Sequence, residues 1–151
     1  MIFNYYGINI TQEQIVSRSY GVDPSGNLPN WTGSFQVITA NLNNWNVDNS
    51  GRQYGVRATF NQGAPTPIYL IQQLSLQRPV LIGYRSGPSS GHAVVITACS
   101  YIETYYGPMI QSIVVRDPWP SDANVATQGR VEYKGIDLAN LIDAHWYIVI
   151  Q

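Results

Sequence analysis

Charge is what this sequence has least of. Asp, Glu, Lys and Arg make up 11% of its 151 residues, under half of the ~25% usual for soluble globular proteins. Asn, Gln, Ser, Thr and Tyr must therefore cover much of the surface. Lysine occurs once, at Lys134, and the formal net charge is −1. That leaves no basic stripe with which to hold nucleic acid or anionic lipid. Cysteine also occurs once, at Cys99, which excludes an internal disulfide. No run reaches the ~18 apolar residues of a membrane span. Neither a phosphate-binding loop nor a dinucleotide fingerprint is present, and no cofactor is expected. An uncharged, polar, tyrosine-rich composition points to an extracellular or cell-surface location.

What is there suffices for one domain. The length fits a single core, 44% of the residues are hydrophobic, and no repeat or linker divides 1–151. Met1 to Tyr6 is apolar and aromatic and runs into Gly7, a residue typical just past a helix end. With no capping residue or polar first turn ahead of it, this segment reads as the last turns of a helix that begins upstream of residue 1. Thr11-Gln12-Glu13-Gln14 is a capping box for a short helix through Ser17. Ser34 caps a helix with Phe35, Ile38 and Leu42 on one face. Residues 43–55 read as a polar loop, and Val56 to Phe60 as a short strand. Thr66-Pro67 opens a helix with Ile68, Ile71 and Leu74 inward.

From Pro79 the period changes. Segments 80–84, 91–101, 109–117, 129–134 and 145–150 read as strands, with a short helix near 137–142. The expected fold is α+β: a mainly helical half over 1–78 and a mainly antiparallel, β-barrel-like half over 79–151, with a site where the two layers meet.

Two strands carry the residues that can do chemistry. Gly91-His92-Ala93-Val94-Val95 and Ile113-Val114-Val115-Arg116-Asp117 are joined through Tyr105-Tyr106-Gly107-Pro108. A hairpin folding at 104–106 brings His92 opposite Asp117 or within one or two residues of it. Cross-strand neighbours on one face have Cβ atoms ~4.5–5.5 Å apart, close enough for an imidazole to donate to a carboxylate. An Asp so placed fixes the imidazole tautomer, as a general base beside a nucleophile requires. The alternative is a core histidine and an Asp that merely starts an Asp-Pro turn. The joint placement favours the pair.

No nucleophile accompanies them. Cys99 lies seven residues from His92 on the same strand; odd spacing puts it on the opposite face, roughly 20 Å away. Gly87-Pro88-Ser89-Ser90-Gly91 spells the nucleophile-elbow pattern of serine hydrolases, but that pattern needs a helix after it, and here a strand follows. His145, with Asp143 nearby, lacks ligands at metal spacing and reads as structural, so no metal site is expected.

The segments Gly91-His92-Ala93-Val94-Val95 and Asp117-Pro118-Trp119-Pro120 resemble papain-like cysteine peptidases, especially the compact bacterial branch of bacteriocin-processing (double-glycine leader) peptidases. Met1-Ile2-Phe3-Asn4-Tyr5-Tyr6-Gly7 and Thr11-Gln12-Glu13-Gln14-Ile15-Val16 resemble the stretch that follows a Cys-Trp-Ala-Ala type motif on the central helix of that family. The resemblance implies a papain-like fold lacking the start of its central helix. It makes His92 the base and Asp117 its orienting partner, with Gly91 and Trp119 against the substrate and Trp119 shielding the pair. Asp117 stands where papain itself has asparagine, although aspartate is usual in the bacterial branch. The catalytic cysteine and the glutamine before it would lie upstream of Met1, so the chain alone would be an inactive part of a thiol peptidase. Its expected partners are a peptide or protein substrate and an upstream fragment of the same protein. The alternative function is a non-catalytic module that binds a peptide or a partner on a peptidase fold.

Overall fold

The computed structural model describes residues 1–29, 31, 33–43, 45–85, 91–118 and 129–151, and of residues 136 and 138 the backbone only. Among the described residues the chain forms two compact units. One comprises Ile2–Ala58 with Val149–Gln151; the other comprises Met1 with Thr59–Ile148.

The helix-rich first unit holds α1 (Ile2–Tyr5), α2 (Gln12–Tyr20) and α3 (Phe35–Leu42). Helix α1 ends on Gly7, whose φ of +70° suits a residue without Cβ. In α2 the expected capping box is fully formed: Thr11 Oγ1 accepts from the Gln14 amide, and the Gln14 side chain accepts from the Thr11 amide. The helix runs three residues beyond the expected Ser17. Ser34 caps α3 as expected, accepting from the Val37 amide. Residues 43–55 are not a loop. They contain β1 (Trp45–Asn49) and the start of β2 (Arg52–Gln62), paired antiparallel from Asn49–Arg52 to Trp45–Val56. Ser50 and Gly51 between them both have positive φ, 58° and 83°, the signature of the tight hairpin turn that matches strand twist. Ile2, Phe3, Ile8, Val47 and Val56 are buried here, and Phe3 meets Trp45 edge to face at 5.0 Å.

The strand-rich second unit is built on β3 (Val80–Arg85), β4 (Gly91–Thr104), β5 (Gly107–Arg116), β6 (Arg130–Lys134) and most of β7 (Ile142–Ile150). With the end of β2 they run in the order β2-β7-β3-β4-β5-β6. Strand β3 pairs antiparallel with β4 and with β7, β4 with β5, and β5 with β6. The sheet is open, with β6 at an edge, so the barrel-like closure expected from sequence is not formed. Helix α4 (Pro67–Ser75) belongs to this unit, as does α5 (Gly135–Ala139). Pro67 occupies the first helical turn, where its missing N–H costs nothing. Alternation along the strands gives one apolar face: Val80 and Ile82, Val94 and Ile96, Ile113 and Val115, with Leu70 of α4 in the same buried cluster. Each such side chain stabilises the fold by about 1.5–3 kcal/mol.

The β4–β5 hairpin turns at Tyr105-Tyr106, with Thr104 facing Gly107, as the sequence implies. Two irregularities interrupt its ladder. Ile96 faces Val115 while Ala98 faces Val114, leaving Thr97 as an extra residue on β4. Ser100 faces Ser112 while Tyr101 faces Ile110, leaving Gln111 extra on β5. Each is a β-bulge, which flips the side-chain alternation beyond it.

No helix among the described residues is long and apolar enough to cross a membrane.

Candidate functional site

The last ladder pair at the open end of the hairpin is Val95–Arg116. Continuing that register places Asp117 opposite Val94, two residues from His92 and on the same face. The pair is thus diagonal rather than direct, a separation that longer side chains bridge. His92 Nε2 donates to Asp117 Oδ1 at 2.6 Å. Because a carboxylate only accepts, Nε2 must carry the proton. No hydrogen-bond partner for Nδ1 occurs among the described residues. Side-chain exposure is 23% for His92 and 8% for Asp117, so the carboxylate is shielded and the imidazole is reachable.

The backbone holds Asp117 from its other side. Its amide donates to the Gly129 carbonyl at 2.8 Å. Gly129 has φ +69°, and a Cβ there would lie 2.1 Å from the Asp117 carbonyl oxygen. Only glycine fits that approach. Sequence reasoning missed Gly129; its one signal was a glycine at the start of a strand.

On the side of β3, Tyr84 faces His92 directly, and the two rings meet at 5.5 Å and 82°. The Tyr84 hydroxyl has Tyr133 and Asp117 as neighbours. Burial first, then Tyr133 and the Asp117 charge, push it well above the ordinary phenol range, so it stays a neutral phenol. Sequence reasoning missed this contact as well, because it depends on the register between β3 and β4.

Gly91 opens β4 and faces Arg85, exposed. Trp119 lies outside the described residues, as does the Ser89 segment. Cys99 requires a correction. The bulge at Thr97 restores it to the face of Val94 and Ile96, and it packs against their cluster, so the parity argument for the opposite face fails. Its separation along the strand stands: seven residues at ~3.3 Å each is roughly 20 Å. Burial pushes its thiol up, the reverse of an activated nucleophile. His145 is buried, pairs across from Ile82, and its Nδ1 donates to the Gly63 carbonyl at 2.7 Å. Among the described residues no three His, Cys, Asp or Glu side chains group to hold a metal ion.

An apolar hollow of about 500 Å³ in the same unit is lined by Leu70, Ile96, Ile110, Ile113 and Ile142, among others. It holds none of His92, Asp117 and Tyr84.

The Peptidase_C39 like family matches residues 1–138, a span that includes both His92 and Asp117. No curated protein matches the chain.

Proposed function

The chain belongs to the Peptidase_C39 like family, and from that premise we propose that His92 and Asp117 are the base half of a cysteine-peptidase site acting on peptide bonds. One observation carries the reading: Nε2 is committed to a shielded carboxylate at 2.6 Å, while Nδ1 has no partner among the described residues. In such a site Nδ1 takes the proton of a cysteine thiol. The thiolate attacks the peptide carbonyl carbon, and the imidazolium then protonates the leaving amine. Asp117 holds the tautomer and stabilises the positive charge that builds on the ring during each transfer. Water closes the cycle by hydrolysing the thioester, with His92 again as base.

The nucleophile is the part this sequence does not supply. Its one cysteine, Cys99, sits far along β4 with a raised pKa. We therefore propose that the thiol comes from residues outside the 151. The reading frame ahead of residue 1 tests this. A glutamine followed by Cys-Trp within the preceding turns supports the peptidase. A different residue at the cysteine position supports the alternative, a peptide-binding module on the same fold. The narrower likeness to enzymes that remove double-glycine leaders has its own assay, cleavage after Gly-Gly in a leader peptide.

Enzymology of the chain itself gives a second test. The 151-residue chain is expected to show no thiol-dependent cleavage. Cleavage that disappears on Cys99→Ala would overturn the reading. In a product carrying the upstream cysteine, His92→Ala is expected to lower kcat by about 10²–10⁴-fold, the usual worth of a general base.

A further inference from the structure

We propose that Tyr84 is the positioning residue for His92, fixing the imidazole plane so that Nε2 meets Asp117 and Nδ1 is left for a thiol. This rests on the reading of His92 and Asp117 as base and partner.

The need for such a residue follows from torsional freedom. The outer torsion of a histidine side chain is broad and roughly two-fold, so no rotamer by itself selects which nitrogen faces a partner. One hydrogen bond to Asp117 still permits the ring to swing about the N–O line, and a partly exposed imidazole has room to do so. A second, non-collinear contact is required.

Tyr84 supplies it from a fixed point. It faces His92 in the β3–β4 ladder, where Cβ atoms on one face lie ~4.5–5.5 Å apart. The rings stand at 82° with centroids 5.5 Å apart, the edge-to-face arrangement that ring quadrupoles favour. Turning the imidazole part-way about its outer torsion would lose that geometry, and a half-turn, which restores the plane, would lose the Asp117 hydrogen bond. Tyr84 also packs against the buried cluster of the unit, which fixes the body of the phenol.

The sequence contains two histidines, which makes the test direct. In the 151-residue protein labelled with ¹⁵N-histidine at a pH where both rings are neutral, the nitrogen shifts report each tautomer. His92 is expected as the Nε2–H form, bonded to Asp117. His145 is expected as the Nδ1–H form, bonded to Gly63, and serves as a monitor of folding.

Tyr84→Ala is expected to lower the Nε2–H to Nδ1–H ratio of His92 by about two- to tenfold, the range an aromatic pair contributes, with His145 unchanged. Tyr84→Phe, which keeps the ring, is expected to hold the ratio within about twofold of wild type. A His92 ratio unmoved by Tyr84→Ala overturns the proposal. Should Tyr84→Ala lose the His145 signature, Tyr84→Leu, which keeps the bulk without the ring, decides, and an unmoved His92 ratio there overturns it. A wild-type His92 without the Nε2–H form defeats the base-and-partner reading itself, a result separate from any effect of Tyr84.

Discussion

Two histidines flank β3 on one face of the strand-rich sheet, and they differ in burial and in the oxygen each one meets. His92 on β4 faces Tyr84, and His145 on β7 faces Ile82. Each has a tyrosine ring edge-on, at 5.5 Å for His92 and 4.9 Å for His145. Each gives one nitrogen to an oxygen. For His92 the oxygen belongs to a carboxylate, and for His145 to the Gly63 carbonyl. A carboxylate can stabilise the charge an imidazole acquires when it takes a proton. A carbonyl offers a dipole only, and burial pushes the His145 pKa down. The aromatic neighbour is common to both environments, so on the proposed reading the acceptor's charge distinguishes a base from a structural ring.

The sharpest way to break the comparison is Gly129→Ala. The left-handed backbone and the close Asp117 carbonyl leave no room for a methyl group, and the cost is expected to be about 2–4 kcal/mol. Urea denaturation should show that loss, and NMR should show the His92–Asp117 contact gone with the His145–Gly63 bond intact. Next in size is His145→Ala, expected to cost about 2–3 kcal/mol for a buried ring and an unsatisfied carbonyl. His92→Ala, at a partly exposed position, should cost under about 1 kcal/mol.

A smaller effect lies in pH. His145 binds its proton more weakly when folded than when unfolded. Its contribution to stability is therefore complete above the ordinary histidine pKa of about 6.5 and is lost as pH falls below it. Urea midpoints should fall from pH 7 to pH 5, and His145→Gln should flatten that dependence. The smallest effect is expected from Cys99→Ala, which should leave both histidine tautomers in place. In the intact protein the Cys99 thiol should alkylate more slowly than in the urea-unfolded chain, since burial raises its pKa.

The site was legible in the sequence where regular alternation carried it. The β-branched runs around Val94 and Val114, with a polar turn between them, gave the hairpin and hence the meeting of His92 and Asp117. What was hidden needed a count that sequence cannot make. The face of Cys99 depends on whether Thr97 is paired, and the pairing partner of Tyr84 depends on how two strands align across the segment between them. In the first unit, β1 went unread because Asn46, Asp48 and Asn49 are poor strand formers and only Val47 of that strand is fully buried. Ser50-Gly51 was the available signal, a two-residue turn whose geometry pulls the polar segment into a hairpin. The open sheet was illegible for a further reason: alternation fixes which residues face the core but not whether the outer strands meet.

The two bulges also make the hairpin tolerant of changes in length. Thr97 and Gln111 are surplus to the ladder, and Thr97 spends its hydroxyl on the Val114 carbonyl at 3.4 Å. A strand with a surplus residue can lose one by straightening there, with every remaining partner kept. Single deletions at Thr97 or Gln111 would thus shorten one arm while leaving His92 and Asp117 in reach of each other. Elsewhere in the arm, a deletion could be absorbed only by drawing in this slack. The hairpin carries spare length between its tip and its site, and natural variation in its arms has somewhere to go without disturbing the pair.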